Sequence, residues 1–238
     1  ILYFDGAMSE AQVFVNGEKV CFWPYGYNSF WCDVTDRLKT GANELAVLLE
    51  NRPQSSRWYP GAGLYRKVRH ITLPEVHVPV WGTYVTTPYI GEDHAVVRVR
   101  TKVNGVADGA AVTLKTRIVN AEGKVMAEDT DTRQIHKGEV EQNITVSEPA
   151  LWSPENPVLY FAETEVYTGG SIDTDWNMER PRISISHGEE LQDKVSTRFG
   201  FRTIEIRPDE GFLLNGQVRK FRGVCLHHDL GPLGAAIN

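Results

Sequence analysis

The sequence predicts a mainly β protein: two β-sandwiches in series, followed by the opening strand of a β/α fold. Three observations carry this reading. Apolar residues alternate with polar ones at period two along most of the 238-residue chain, the spacing that half-buried strands require. Positive-φ turn dipeptides, Asn16-Gly17, Asn104-Gly105 and Asn215-Gly216 among them, recur between the runs. Prolines at Pro74 and Pro79 mark a change of domain.

Val13-Phe14-Val15, the Asn16-Gly17 turn and the run Val20 to Trp23 make the first hairpin. The strand through Phe30-Trp31-Cys32 follows, then a short turn at Asp36-Arg37-Leu38 and a reversal at Gly41-Ala42-Asn43. Leu45 to Leu49 is apolar enough for a core strand, residues 51–63 form a long loop, and Leu64 to Leu73 closes the domain. Strands joined by irregular loops fit a jelly-roll-like sandwich, here partial and cut at its start. From residue 74, strands are expected near 76–88, 94–103, 111–119, 124–135, 139–146, 158–167, 182–187 and 191–206. Seven or eight such strands in about 125 residues match an immunoglobulin-like sandwich. The stiff segment Leu151-Trp152-Ser153-Pro154-Glu155-Asn156-Pro157 interrupts them, with Trp152 read as a core plug. Phe212 to Val218 reads as another Asn-Gly hairpin. Lys220 to Leu226 lacks polar alternation, as in a strand buried on both faces of a parallel sheet. Domain limits are therefore 1–73, 74–201 and 202–238.

Composition narrows the function. A formal net charge of −6 offers no basic footprint for nucleic acid, and no apolar run reaches the ~20 residues of a membrane span. Cys21, Cys32 and Cys225 are widely spread and read as buried free thiols. Asn143-Ile144-Thr145 is a glycosylation sequon of low specificity. His227-His228-Asp229 ends the last apolar run, where an active-site rim would lie, and Arg57-Trp58-Tyr59 is an aromatic and cationic cluster of the kind sugar sites use. Zinc at His227-His228-Asp229 is disfavoured, because adjacent residues of an extended chain point to opposite sides.

Taken in order, these motifs resemble glycoside hydrolase family 2, the family of β-galactosidase, β-glucuronidase and β-mannosidase. The resemblance rests on Val13-Phe14-Val15-Asn16-Gly17, Trp31-Cys32-Asp33-Val34-Thr35, Gly41-Ala42-Asn43-Glu44-Leu45 and Gly63-Leu64-Tyr65-Arg66-Lys67-Val68 in the first domain. It continues through Leu151 to Tyr160, Phe199-Gly200-Phe201-Arg202, Phe212-Leu213-Leu214-Asn215-Gly216 and Phe221-Arg222-Gly223-Val224, and it ends at His227-His228-Asp229. It implies a galactose-binding-like jelly roll, an immunoglobulin-like sandwich and the first strand of a truncated TIM barrel. The final segment resembles the β-galactosidase branch most. Retaining hydrolysis of terminal β-galactosides by double displacement is implied for the full-length protein, with both catalytic glutamates beyond this chain and none within it. His227, His228 and Asp229 are implied substrate contacts, Arg57, Trp58 and Tyr59 weaker ones, and Arg222 a structural residue beneath the site. No cofactor or metal is implied. The partner is carbohydrate; a homo-oligomer and a periplasmic or secreted location are compatible with the family. A stand-alone carbohydrate-binding or scaffold module is the contrasting reading.

Overall fold

A computed structural model describes residues 1–54, 61–135, 138–175 and 182–225. The chain divides into two compact units, Ile1–Thr72 with the described residues from Arg222, and Leu73–Phe221.

The first unit holds β1 (Leu2–Phe4), β2 (Ala11–Val15), β3 (Glu18–Trp23), β4 (Phe30–Cys32), β5 (Leu45–Leu48) and β6 (Val68–His70). One antiparallel sheet is ordered β4-β1-β6 and the other β3-β2-β5. The central strands alternate as expected: Leu2 and Phe4 on β1 and Ala11, Val13 and Val15 on β2 face inward. Phe4 stacks on Phe30 with ring centroids 4.6 Å apart, and Trp23 lies 5.7 Å from the same ring. The Asn16-Gly17 turn has φ of 53° and 85°, the positive pair that a two-residue hairpin needs. The Asn16 side chain also donates to the Arg37 carbonyl at 2.7 Å and to Asn43 Oδ1 at 2.9 Å, so one residue ties the hairpin to two later turns.

Two expectations fail in this unit. β5 is an edge strand rather than a core strand, with Leu45 and Leu48 exposed and only Val47 packed inward. Apolar composition alone cannot show whether a second sheet covers a strand. Cys21 and Cys32 are not free thiols. They form a disulfide between β3 of one sheet and β4 of the other, with Cα atoms 6.0 Å apart, a separation usual for the bond. Cys225 is free but exposed.

The second unit holds β7 (Thr83–Ile90), β8 (His94–Lys102), β9 (Ala111–Asn120), β10 (Val125–Gln134), β11 (Glu139–Ser147), β12 (Tyr160–Thr168), β13 (Ser171–Asp175), β14 (Arg182–Ser186), β15 (Glu190–Phe199), β16 (Ile204–Arg207), β17 (Gly211–Leu214) and β18 (Gln217–Val218). Sheets ordered β10-β9-β12-β15 and β11-β8-β7 form the sandwich, β13 and β14 a ribbon, and β16-β17-β18 a small third sheet. β11 alternates exposed and buried residues without a break, and β8 nearly so. Ala95, Val97, Val99, Ile118, Ile144 and Val146 fill one end of the interior, and Val103, Val112, Leu114, Val140 and Val166 the other. Each valine, leucine or isoleucine among them contributes about 1.5–3 kcal/mol by leaving water.

A polar layer separates the two clusters. Thr116 Oγ1 is 2.7 Å from Gln142 Oε1 and 2.9 Å from Thr164 Oγ1. The Gln142 amide donates to Asp129 at 2.9 Å, so Thr116, Thr164 and Gln142 are satisfied, as burial demands. Before β7, the linker docks on the sandwich through a two-way bridge of His77 and Asn104. A Cβ at Gly105 would collide with the Glu75 carbonyl, which explains glycine in that turn.

The expected strand 191–206 is two strands, because the chain breaks at Gly200. The strand expected at Lys220 to Leu226 is absent over its described part, where Lys220 to Cys225 has no strand pairing. A strand apolar on both faces needs neighbours on both sides, and no described strand pairs with this one.

Candidate functional site

His227, His228, Asp229, Arg57, Trp58 and Tyr59 lie outside the described residues. The flanks of the 51–61 loop are described. Asn51 Nδ2 donates to the Gly61 carbonyl at 3.2 Å, so the loop returns to its starting point. Gly63 and Met8 exchange both backbone hydrogen bonds, at 3.0 and 3.1 Å. Arg52 pairs with Glu10 at 2.7 Å and Glu50 at 3.3 Å.

The structure brings three further aromatics together in the first unit. Tyr65 Oη donates to the Gly26 carbonyl at 2.7 Å, which places Tyr65 against the turn between Tyr25 and Tyr27. Those two rings meet edge to face at 5.5 Å, and the Arg66 guanidinium lies 5.1 Å over the Tyr65 ring. Gly6 makes room for the arrangement, since a Cβ there would lie 2.8 Å from Tyr65 Oη. Burial raises the Tyr65 phenol, as it does the Tyr27 phenol, so both stay neutral donors in mildly alkaline solution. Rings of this kind present apolar faces to sugar C–H groups and hydroxyls to sugar oxygens. Sequence reasoning left Tyr25 and Tyr27 out. The available signal was the pair of tyrosines flanking a glycine between two strands.

In the second unit Trp152 and the sandwich glutamates have structural partners. Trp152 packs against Gly200, where a Cβ would come within 3.0 Å of it, while the Arg202 guanidinium lies 5.0 Å over its ring. Asn215 donates to the Trp152 carbonyl at 3.0 Å and accepts from the Thr203 backbone at 3.0 Å. These contacts join the proline-bracketed bend to the β17–β18 turn and make Trp152 a packing residue. Glu155 is gripped by both ends of the Arg219 guanidinium, at 2.7 and 3.2 Å. Its carboxyl is lowered chiefly by its own backbone N–H, with Ser153 and Arg219 adding to that against the opposing effect of desolvation.

Glu163 and Glu165 share Arg117 at 3.1 and 3.5 Å, and Glu165 also meets Lys194 at 3.2 Å and the Tyr167 hydroxyl at 2.8 Å. The Tyr167 hydrogen bond is the main reason that the Glu165 carboxyl is lowered, ahead of Lys194 and Arg117. A carboxylate held in the ionised form, as Glu165 is, makes a poor general acid at neutral pH. Among the described residues no group of three or more His, Cys, Asp or Glu side chains could hold a metal ion. Likewise, no described helix is long and apolar enough to cross a membrane.

Comparison with known proteins places these features. Residues 76–178 match the glycosyl hydrolases family 2 domain. The chain is 38% identical over 241 residues to a Bacteroides ovatus protein named Beta-galactosidase BoGH2A, covering 99% of this chain and 26% of that one. It is 32% identical over 234 residues to a putative beta-glucuronidase of Formosa agariphila, covering 98% of this chain and 20% of that one. A crystal structure of a family 2 glycosyl hydrolase from Bacteroides cellulosilyticus superposes with a TM-score of 0.81 and 32% identity, over 98% of this chain and 30% of that one. The chain thus spans a fifth to about a third of these relatives. With 38% identity along 99% of its length to one family relative and the family domain matched over residues 76–178, the chain belongs to glycosyl hydrolases family 2.

Proposed function

We propose that this chain is the non-catalytic N-terminal region of a retaining exo-β-glycosidase that removes terminal β-galactosides. The observation that carries the reading is the 38% identity along nearly the whole chain to a protein named Beta-galactosidase. The proposed domains are 1–73, 74–201 and 202–238, the last beginning a TIM barrel. In such a barrel the reacting groups gather at the C-terminal ends of the strands. Retention uses two carboxyl groups about 5–5.5 Å apart, one protonating the glycosidic oxygen and one attacking the anomeric carbon. Both belong to later barrel strands of the whole protein. His227, His228 and Asp229 line the rim and donate to or accept from sugar hydroxyls, with Arg57, Trp58 and Tyr59 adding a weaker contact. The ion-paired state of Glu155, Glu163 and Glu165 supports this division of labour.

A β-glucuronidase is the second reading, favoured by the relative that is 32% identical. Turnover of aryl β-galactoside, β-glucuronide and β-mannoside by the whole protein separates the readings. The galactoside is expected to be cleaved fastest, with the β-anomer released first. Faster cleavage of the glucuronide overturns the galactoside assignment, and turnover by residues 1–238 alone overturns the non-catalytic one.

A further inference from the structure

On one side of the second sandwich, where the edge strands β7 and β15 run, lies a cavity of about 510 Å³. The pairing of β7 with β8 slips between Thr86 and Tyr89, and Thr86 and Thr87 line the cavity. Opposite them, β15 contributes Arg198 and Phe199, and the segment after Gly200 contributes Arg202. Val85 and Leu159 supply apolar lining.

The charges are unbalanced. Most described arginines hold carboxylates, Arg117, Arg207 and Arg219 among them. No described acidic residue pairs with Arg198 or Arg202, and the described lining contains no Asp or Glu. One residue pair along the same face from Arg198, Glu163 is already engaged by Arg117. Arg202 is held in place from two directions: its guanidinium rests on Trp152, and its carbonyl accepts from Thr87 Oγ1 at 3.4 Å. The cavity thus offers a fixed planar cation and a second free one in a chain of net charge −6.

From this geometry we infer a binding site for a carboxylated sugar, a hexuronate at the end of, or within, a short acidic glycan. A guanidinium donates two parallel N–H bonds that match a carboxylate. The threonine hydroxyls suit ring hydroxyls, and Val85, Leu159 and Phe199 suit the C–H face of a pyranose. The volume lies within the range of small-molecule sites. The inference uses only groups within the second unit and stands whether or not the β-galactosidase reading holds.

Calorimetric titration of the chain with D-glucuronate and D-galacturonate oligosaccharides tests it, with the matching neutral oligosaccharides and a triglutamate peptide as comparators. The uronates are expected to bind, to weaken as NaCl rises, and to shift the Arg198 and Arg202 side-chain resonances. Arg198→Gln and Arg202→Gln are each expected to weaken binding about tenfold or more, the effect of losing a charge-assisted contact. The Arg198 guanidinium has no hydrogen-bond or ion-pair partner among the described residues, so Arg198→Gln is expected to leave the melting temperature unchanged. Equal affinity for neutral sugars, unchanged binding in the double variant, or no uronate binding would each overturn the site. Preference for triglutamate would assign the cavity to an acidic peptide instead.

Discussion

At the scale of single residues, hydrogen-bond satisfaction in the second sandwich leads to two predictions. The hydroxyl of Thr101 is buried with no partner among the described residues, whereas that of Thr116 serves two. Replacing each by the near-isosteric valine should therefore act in opposite directions. Thr101→Val is expected to stabilise by about 1 kcal/mol, because it removes an unsatisfied buried group. Thr116→Val is expected to destabilise by about 1–3 kcal/mol, since Gln142 and Thr164 lose a partner. Urea denaturation of both variants checks the pair.

Glu165 supplies a pH test. Its carboxyl is lowered in the fold, chiefly by the Tyr167 hydroxyl. Its contribution is complete above the ordinary glutamate value near ~4.3 and drains away as pH falls through the lower folded value. Thermal melts between pH 7 and pH 3 should show a shallower loss of stability in Glu165→Gln than in the parent. Equal slopes would mean that the lowered Glu165 carboxyl contributes nothing to stability.

At the scale of elements, the Cys21–Cys32 bond and the Gly105 turn each link one element to another. The disulfide connects two sheets across a sequence separation of 11. Closing a loop of that size removes about 2–3 kcal/mol of unfolded-state entropy. Thiol titration of the denatured, unreduced chain is expected to find one free cysteine, Cys225, and three after reduction. Reduction should lower the unfolding temperature of the first unit. Gly105→Ala should destabilise the second unit by more than 2 kcal/mol by the collision with Glu75. Gly123→Ala is the control: its turn also has positive φ, but a Cβ there meets nothing within 4 Å, so about 1 kcal/mol of conformational cost is expected. Similar effects of the two substitutions would remove the case for linker docking.

These elements also show what could be read without coordinates. The hairpins at Asn16-Gly17 and Asn215-Gly216 and the alternating strands 94–103 and 139–146 were legible because period-two burial and positive-φ turns are local properties. The exposure of β5 and the bonding of Cys21 to Cys32 were not, because each depends on which strand the chain places opposite. In the first unit, Tyr65 reaches the Tyr25–Tyr27 turn across 39 residues of sequence, a juxtaposition that no spacing rule expresses. Trp152 is a correction of the opposite kind: read as a core plug, it packs against Gly200 and under Arg202 but stays half-buried, lines the cavity beside β15 and joins neither apolar cluster.

On the whole molecule, the surface of the second unit carries one apolar face that demands attention. Ile204 and Ile206 of β16 stand 54% and 81% exposed, and the Phe212–Phe221 ring pair lies 4.5 Å apart beside them in the same small sheet and its exit. Apolar groups exposed together favour association. In isolation, residues 1–238 are expected to self-associate at high concentration, and Ile206→Lys to restore the monomer by sedimentation analysis. An unchanged sedimentation profile would show that this face is inert.

The sequence alone determined that the chain is β-rich and which family its ordered motifs resemble, and it set an expected domain change near Pro74, because turn chemistry, alternation and motif order are written along the chain. The tertiary structure decided which strands are covered, that Cys21 bonds Cys32, that Glu163 and Glu165 share Arg117, and that Arg198 and Arg202 face one cavity with no carboxylate among its described lining. Those outcomes depend on strand order and sheet pairing, which bring together residues that local periodicity leaves independent.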